Sequence, residues 1–517
     1  MAEKKYIATE QTQVEIKELV ALIKASVVGG ISSGTMPHIT VIAPTGCTVT
    51  ATNGSTVLTS EEIGVSGVYQ FNVPNLGDWV ITTAKEGRSG TRNVAVTEVK
   101  EYKIKTSYGY RFGYRIKDSE SSPSARVEYL FDAAGLEPAY MDFTRGIFNF
   151  GGWIDKWFVT ENKPCMLRRD GTVDYYLDPS NYDVKEDGGA SDVSNASYDG
   201  NAMAEIPLIW VKRYTDGDYR YVIFSDVRYD NDYEADAFVR ADGSIGEHFY
   251  YSMFGASGSA SMLRSLSGQT RVGSLTMAQE LAGASANGSL WSTHTWSRFN
   301  LIRDLCVLMG KSTDLQSVFG NGNCRSASSA SGILQTGTLK DKGQFFGYNS
   351  STNQVKVFHS EAFWGDMWDR LAGILINNYE PYVQMSRKNG EYSASSISGM
   401  TGVGITISSG MSASYITSET VNKYGSFPMA VGGSTSTYYA DPGWSASGLM
   451  CLFVGASANN AVGYGGGFTW NSNNAPTNSN WNNGCGLSYL KKKCFASSML
   501  CIILSYRWKL SDKGPEE

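Results

Sequence analysis

Short stretches of alternating apolar and polar residues, separated by turn signals, dominate the chain between about positions 36 and 107. The turns fall at Asn53-Gly54, Pro74-Asn75 and Glu86-Gly87. Strands of this length at this spacing are typical of a small β-sandwich. The predicted strands cover 38–43, 48–52, 67–73, 79–84, 91–96 and 101–106.

The first 35 residues have a different pattern, in which apolar residues recur at helical spacing. Ile16, Leu19, Val20 and Ile23 follow the i, i+3, i+4, i+7 rule, and a Gly/Ser linker follows at 29–34. So short an apolar stripe is marginal as an isolated helix. We therefore expect residues 1–35 to attach the chain to a partner or to trimerise it. A frayed leader is the equal alternative.

After a polar junction at 108–124, residues 125–517 are predicted to form one large unit. Strand-like runs occur at 163–168 and 206–214. Helical signals interrupt them, so this unit is predicted to mix strands and helices. The predicted fold class is mostly β with α+β.

Two helices have clear boundary signals. Thr276 and Gln279 form a capping box for a helix over 277–284. Ser297 is predicted to cap a second helix that runs through Met309 and ends at Gly310.

Composition and charge argue against nucleic acid binding and against insertion into a membrane. The chain has 517 residues, of which 42% are hydrophobic and 18% charged, with a net charge of −6. Duplex nucleic acid binding needs a basic stripe, so we expect no nucleic acid partner. The start of the chain lacks the apolar core of a secretory signal, and the apolar stretch at 494–506 is too short for a bilayer. We therefore expect synthesis in a reducing cytoplasm, free thiols at the eight cysteines and no membrane insertion.

Few groups of residues have the sequence spacing that is typical of a catalytic or metal-binding site. None of the four histidines lies in a zinc-binding frame, and His294, between two tryptophans, is predicted to be a packed structural residue. Glu361 and Asp366 are the nearest candidates for paired catalytic carboxylates, but the tryptophans and glycine around them favour packing. We expect no enzymatic activity.

An acidic, turn-rich region is the nearest candidate for a cation site. Its carboxylates could supply oxygen ligands to a structural Ca²⁺, although their spacing fits no EF-hand and solvated acidic loops are commoner. No cofactor is otherwise expected. The residues are Asp226, Asp230, Asp232 and Asp236.

Near the end of the chain lies an asparagine-rich run, W-N-S-N-N-A-P-T-N-S-N-W-N-N-G at 470–484, with seven asparagines in fifteen residues. Asparagine is disfavoured in helices and strand interiors, so loops or short strand ends are predicted. Each amide offers one acceptor and two donors without charge. Beside Trp470 and Trp481 they predict a polar contact surface with flat anchors. A solvated Asn/Ser turn cluster is the alternative.

Several motifs resemble a known group of proteins. The run F-W-G-D-M-W-D-R-L-A-G at 363–373 is similar to the core of large fibre proteins of gut bacteriophages, as are 337–348 and 438–444. The segments 452–457 and 463–490 resemble the C-terminal C-type-lectin-like module of variable proteins of the major tropism determinant type, which are targets of diversity-generating retroelements. The segment 67–79 resembles Ig-like spacers. The resemblance departs at Cys485-Gly486-Leu487, where the usual arginine is missing, and in the long tail after position 490.

The resemblance implies a fold and a set of domains. Residues 1–35 would be an N-terminal helix and linker, 36–107 an Ig-like β-sandwich spacer, and 125–517 a C-type-lectin-like α+β domain. That last fold is shared with formylglycine-generating enzymes, although most phage versions bind and do not catalyse. The binding surface would lie at 457–483.

The resemblance also implies a function: a bacteriophage virion protein, a tail or surface fibre that recognises a host-cell receptor, either glycan or protein. Its location would be the virion, its partners other virion proteins, and its assembly a homotrimer. The alternatives are an architectural virion component, such as a head-decoration protein or baseplate spoke, and an enzyme of the formylglycine-generating or depolymerase type. The expected contact residues, projecting outward from a rigid scaffold, are Asn459, Asn460, Tyr464, Phe468, Trp470, Asn471, Asn473, Asn474, Asn478, Asn480, Trp481, Asn482 and Asn483.

Overall fold

The computed structural model describes residues 36–43, 47–60, 68–85, 88–106 and 109–491. The helix predicted within residues 1–35 and the tail after Lys491 lie outside these ranges. The chain divides into two compact units, residues 1–111 with 224–231, and residues 112–223 with 232–517. The described chain is mostly β with a few helices, which confirms the coarse fold class.

The described residues of the smaller unit form seven strands in two sheets. One sheet has the order β4-β1-β7 and the other β3-β2-β5-β6. Alternate residues of both sheets, among them Ile39, Tyr69, Val49 and Trp79, share one buried apolar core, as period-two alternation requires. The strands are β1 (His38–Ile42), β2 (Thr48–Asn53), β3 (Thr56–Ser60), β4 (Val68–Asn72), β5 (Gly77–Lys85), β6 (Arg88–Val96) and β7 (Glu101–Lys105).

The larger unit contains two large sheets and several small ones. Its strands in the first half are β8 (Arg111–Lys117), β9 (Val127–Phe131), β10 (Tyr140–Asp142), β11 (Ile147–Asn149), β12 (Lys163–Arg168), β13 (Val173–Asp178), β14 (Asn181–Lys185), β15 (Gly200–Pro207), β16 (Trp210–Asp216), β17 (Tyr219–Ser225), β18 (His248–Ser252), β19 (Ser257–Ser259) and β20 (Met262–Arg264). In the second half they are β21 (Trp291–Thr293), β22 (Lys356–Val357), β23 (Ser360–Glu361), β24 (Trp368–Asn377), β25 (Glu380–Val383), β26 (Thr401–Gly402), β27 (Ser412–Asn422), β28 (Gly425–Val431), β29 (Pro442–Ser445), β30 (Leu449–Val454), β31 (Trp470–Asn474), β32 (Asn483–Gly484) and β33 (Leu487–Tyr489).

The two large sheets position the C-terminal segments. A seven-stranded sheet has the order β14-β13-β12-β15-β18-β33-β21, so the chain returns near its end to pair with strands formed much earlier. A nine-stranded sheet has the order β26-β25-β24-β30-β31-β29-β27-β28, with β32 also paired to β24. A four-stranded sheet has the order β16-β17-β8-β9. The expected junction at 108–124 therefore contains a strand of this sheet.

Helices of the larger unit lie between the strands. They are α1 (Trp157–Thr160), α2 (Met277–Ser285), α3 (Trp296–Gly310) and α4 (Leu315–Phe319). The predicted capping box of α2 is present: Thr276 accepts from the Gln279 backbone and the Gln279 side chain accepts from the Thr276 backbone. The predicted strand at 163–168 coincides with β12. The one predicted at 206–214 is instead split between β15 and β16.

The predicted cap of α3 is wrong. The helix begins at Trp296 with Thr295 as its cap residue and runs through Gly310, after which Lys311 adopts a left-handed conformation. All fifteen residues are buried. The polar residues of α3 therefore find partners inside the molecule, for example Asp304 with Arg213 at 2.8 Å, because buried charges need pairing.

Candidate functional site

The structure divides the thirteen predicted contact residues by exposure. Asn459, Asn473 and Asn480 are exposed, and Asn460, Tyr464, Asn474, Asn478 and Trp481 are half-buried. The prediction that all thirteen project to solvent is wrong for five buried residues. These are Phe468, Trp470, Asn471, Asn482 and Asn483.

Trp470 is a core residue because the first part of the asparagine run is an inner strand and not a loop. β31 lies between β29, to which it is parallel, and β30, to which it is antiparallel. The Trp470 indole is 2% exposed, donates from Nε1 to Ser472 Oγ at 2.9 Å and meets the Trp296 ring edge-on at 5.8 Å. Phe468 likewise packs on Tyr439, with ring centroids 4.7 Å apart.

The buried asparagines tie loops to the scaffold. Asn482 donates from Nδ2 to Asn459 Oδ1 at 2.9 Å and to Ser457 Oγ at 3.2 Å. Asn483 donates from Nδ2 to Asn478 Oδ1 at 2.5 Å. A buried amide with such partners stabilises a loop conformation. The side chains of Asn482 and Asn483 therefore support the exposed loops and are not themselves part of the exposed surface.

Several exposed and half-buried residues collect around Trp481. The Ser274 backbone N–H donates to the Asn480 carbonyl at 3.0 Å, and the Trp481 N–H donates to Asn480 Oδ1 at 2.9 Å. On the other side, the Ser326 N–H donates to the Asn460 carbonyl at 2.9 Å. We call this surface the Trp481 face; its residues are Thr270, Ser274, Ser326, Ser329 and Ser331 on either side of Ala330, Gln335, Asn459, Asn460, Asn480 and Trp481.

The remaining predicted residues lie apart from this face or below it. Asn473 and Asn474 end β31, where both amide groups contact Asn471 or each other. Tyr464 packs with Trp444 in an apolar cluster of the larger unit. The sequence alone missed the serine-rich segment 326–331 of the face, although its run of small polar residues was a signal for an exposed loop.

The motif at 363–373 is a buried hub from which the loops of the face are held. The Asp366 backbone accepts from the Ala458 N–H at 2.9 Å and donates to the Asn323 carbonyl at 2.9 Å. Its carboxylate Oδ1 accepts from the Leu334 N–H and from Asn323 Nδ2, both at 2.8 Å. Asp366 also has a left-handed φ of 72°, a conformation that aspartate tolerates better than most residues. One residue thus fixes two loops that border Trp481.

Arg370, in the same motif, fixes a third loop. Its Nη2 donates to the Asn478 carbonyl at 2.7 Å, and its Nη1 pairs with Glu280 Oε2 of α2 at 2.8 Å. Burial raises the pKa of Glu280 to about 8, against the lowering effect of Arg370. The Met277 N–H at the start of α2 donates to the Pro476 carbonyl at 3.0 Å. The turn before Asn480 is therefore bound to the scaffold at both sides.

The cavity beside Trp481 carries little net charge. It has a volume of about 190 Å³, and Arg271 is the charged residue that lines it. Arg271 pairs with Asp366 and Asp369, each at 3.1 Å. The cavity is lined by Thr270, Arg271, Gly273, Ser274, Ala330, Ile333, Leu334, Gln335 and Trp481.

His294 is buried, as predicted, and takes part in a serine–histidine–aspartate arrangement. Ser252 Oγ lies 2.8 Å from His294 Nε2, and His294 Nδ1 lies 3.3 Å from Asp369 Oδ2. These are the residue types of a nucleophilic triad. Here the Leu487 N–H donates to Ser252 Oγ at 3.1 Å, and a Cβ at Gly486 would lie 2.0 Å from the imidazole. The arrangement therefore joins β18, β24 and the segment before β33 as packed structure.

The two carboxylates named as catalytic candidates are also buried supports. Glu361 accepts from the Gly337 and Leu339 N–H groups at 2.8 and 2.9 Å, and burial raises the pKa of its carboxyl. Asp366 holds the loops described above. Their oxygens are occupied by donors of the protein, so neither carboxylate is presented to a cleft as a pair.

Within 36–491, apart from the gaps given above, no group of three or more His, Cys, Asp or Glu residues is placed to hold a metal ion; the calcium site at Asp226, Asp230, Asp232 and Asp236 stays a prediction. None of the helices described has the length and apolarity needed to cross a bilayer. Cys165, Cys306, Cys324, Cys451 and Cys485 are buried free thiols, and Cys47 is buried as well.

Comparisons with known proteins give no assignment. No family model matches the chain, and no curated protein matches it.

Proposed function

We propose that this chain is a bacteriophage virion fibre protein that binds a receptor on the host cell through the Trp481 face. The observation that supports this most is the contrast between the face and its base. Uncharged polar side chains surround a half-buried indole, while buried Asp366, Arg370 and Asn482 hold the loops that carry them. Binding surfaces that tolerate change need such a scaffold.

The chemistry of the face suits recognition of varied partners. A tryptophan provides a large rigid contact area, and Asn, Ser and Thr side chains provide adaptable hydrogen bonds. One central aromatic anchor within a polar rim is also the usual layout of an energetic hot spot. The larger unit is proposed to be C-type-lectin-like, and the two-sheet unit an Ig-like spacer.

Assembly would strengthen a weak single site. We propose a homotrimer on the particle, attached through the N-terminal segment and other virion proteins. Several linked copies raise binding by a factor of about 10²–10⁴ over one site. A monomer in sedimentation of the full chain would contradict this part of the proposal.

Diversification, if it acts on this chain, would be restricted by burial. Changes at Asn459, Asn460 and Asn480 would alter contacts, because these residues lie on the face; those at Asn459 and Asn460 would also remove acceptors of the Asn482 amide and the Ser457 N–H. Changes at Asn482 or Asn483 would break loop ties. Sequencing the locus across many particles should therefore find variation at the first group; variation spread equally over buried asparagines would contradict this.

Competition for adsorption tests the binding role. Purified wild-type chain should slow adsorption of the phage to its host cells, and the Trp481→Ala chain should not. Asn473→Ala is the matched control, because Asn473 is an exposed asparagine of the same run outside the face. Equal competition by the Trp481→Ala chain, or none by the wild type, would favour the architectural alternative.

A further inference from the structure

The cavity beside Trp481 has the size of a site for a single small ring. Its volume is about 190 Å³, which is below the ~300 Å³ at which pockets for drug-sized ligands begin. Trp481, Ile333 and Leu334 supply apolar wall, and Thr270, Ser274 and Gln335 supply polar groups. An occupant must therefore present both an apolar face and hydrogen-bonding groups.

The polar groups at the cavity are free to bind a ligand. Within the described part of the chain, the Trp481 indole N–H, the Thr270 and Ser274 hydroxyls and the Gln335 amide have no protein hydrogen-bond partner. Ser274 is also held in a left-handed conformation, with φ 58°, by its backbone bond to the Asn480 carbonyl. Together the indole N–H, the two hydroxyls and the Gln335 amide offer both hydrogen-bond donors and hydrogen-bond acceptors.

Charge excludes other classes of occupant. The Arg271 side chain is 1% exposed and already paired with Asp366 and Asp369, so it cannot offer a free positive charge to an acidic ligand. A cationic ligand would find no unpaired carboxylate in the lining. A purely apolar ligand would leave the polar groups unpaired at a cost.

We propose that this cavity binds one uncharged hexose unit of a cell-surface glycan. A hexopyranose presents a C–H face, which fits the indole wall, and hydroxyls on its rim, which fit Thr270, Ser274, Gln335 and the indole N–H. The inference rests on the proposed function for the origin of the glycan, because the binding chemistry itself requires only the cavity.

Saturation-transfer NMR on the purified full chain tests the inference. The probes are the methyl glycosides of glucose, galactose, mannose and N-acetylglucosamine, with the methyl glycoside of glucuronic acid as the charged comparison. At least one neutral glycoside should receive saturation at its C–H protons. Trp481→Ala should weaken its binding by about tenfold or more, and Gln335→Leu, which keeps the side-chain size at an exposed position, should weaken it by a smaller factor.

The controls separate this inference from the proposed function. Asn473→Ala should bind the glycoside as the wild type does, and the melting temperature of each variant checks folding. Failure of every neutral glycoside to bind the wild type, or a preference for the glucuronide, would overturn the inference. If the wild-type chain still competes for adsorption in that case, the receptor contact is a protein and the proposed function stands. If a glycoside binds but the chain does not compete, the proposed function fails and the hexose site stands.

Discussion

At the scale of single residues, Trp470 and Trp481 have similar sequence surroundings but different burial in the structure. Both belong to one asparagine-rich run, yet Trp470 lies within a sheet and Trp481 beside an open cavity. The sequence predicted the same outward role for both. Periodicity could not separate them, because the strand interior around Trp470 is built from asparagine and serine, which usually indicate turns.

The two tryptophans should therefore differ in their effect on stability. Trp470→Ala removes a buried indole between Trp296 and Phe427 and should lower the free energy of unfolding by about 3–5 kcal/mol. Trp481→Ala should lower it by less than about 1.5 kcal/mol. Urea unfolding of both variants measures this, and equal losses would contradict the assignment of Trp481 to the surface.

His294 predicts a pH effect with a definite sign. Burial lowers the pKa of His294, against the raising effect of Asp369. The unfolded chain therefore takes up a proton near pH 6.5 that the folded chain does not, so the stability contributed by neutral His294 is present above about pH 6.5 and lost as the pH falls.

His294→Gln isolates this effect from the other titrating groups. The variant keeps hydrogen-bonding capacity towards Ser252 and Asp369 but cannot titrate. The stability advantage of the wild type over the variant should shrink as the pH falls from about 7.5 to about 5.5. An advantage that stays constant or grows would show that His294 is charged in the folded state.

At the scale of elements, prediction succeeded where the signal was local. The six strands predicted in the smaller unit all exist, because alternation and turn residues are properties of neighbouring positions. β3 was missed, since its short sequence T-V-L-T-S follows directly on the Asn53-Gly54 turn of a hairpin. The capping box of α2 was found for the same reason as the strands.

Prediction failed where partners distant in sequence decide the outcome. The sequence located helix α3 but not its complete burial, because β24 and other elements distant in sequence cover all its sides. The β31 segment was predicted to be a loop or a short strand end, but β29 and β30 pair with it on both sides. Of the predicted contact residues, the structure therefore leaves Trp481 half-buried and Asn459, Asn473 and Asn480 exposed. The sequence could not identify the segments around 270–274 and 326–335 that complete the face.

The link between α2, β24 and the turn at 475–480 can be tested through Arg370. Arg370→Met leaves buried Glu280 without its partner and the Asn478 carbonyl without its donor. It should lower the free energy of unfolding by about 3–5 kcal/mol. Amide hydrogen exchange in the 475–480 turn should also become faster.

Matched variants decide whether this effect is specific. Arg168→Met, which removes an exposed pair with Asp174, should change stability by less than about 1 kcal/mol. The double variant Glu280→Met with Arg370→Met should be more stable than Arg370→Met alone, because no buried charge is left unpaired. A double variant that is less stable than Arg370→Met would contradict the pairing.

At the scale of the whole molecule, charged and uncharged polar side chains lie in different places. The large sheets and the 363–373 hub form an interior crowded with paired charges, and the Trp481 face is almost free of charge. Paired interior charges specify loop positions, whereas neutral exposed side chains can be replaced with little cost to folding. This division is what the proposed receptor-binding function requires.

The most direct test of the proposed function is the adsorption rate of phage particles in which this chain carries a single substitution. Particles with Trp481→Ala should adsorb at least about tenfold more slowly than the wild type, and particles with Asn473→Ala should adsorb at the wild-type rate. Particles of both variants should contain the same amount of this chain as wild-type particles. Normal adsorption by intact Trp481→Ala particles would contradict the claim that this face binds the receptor.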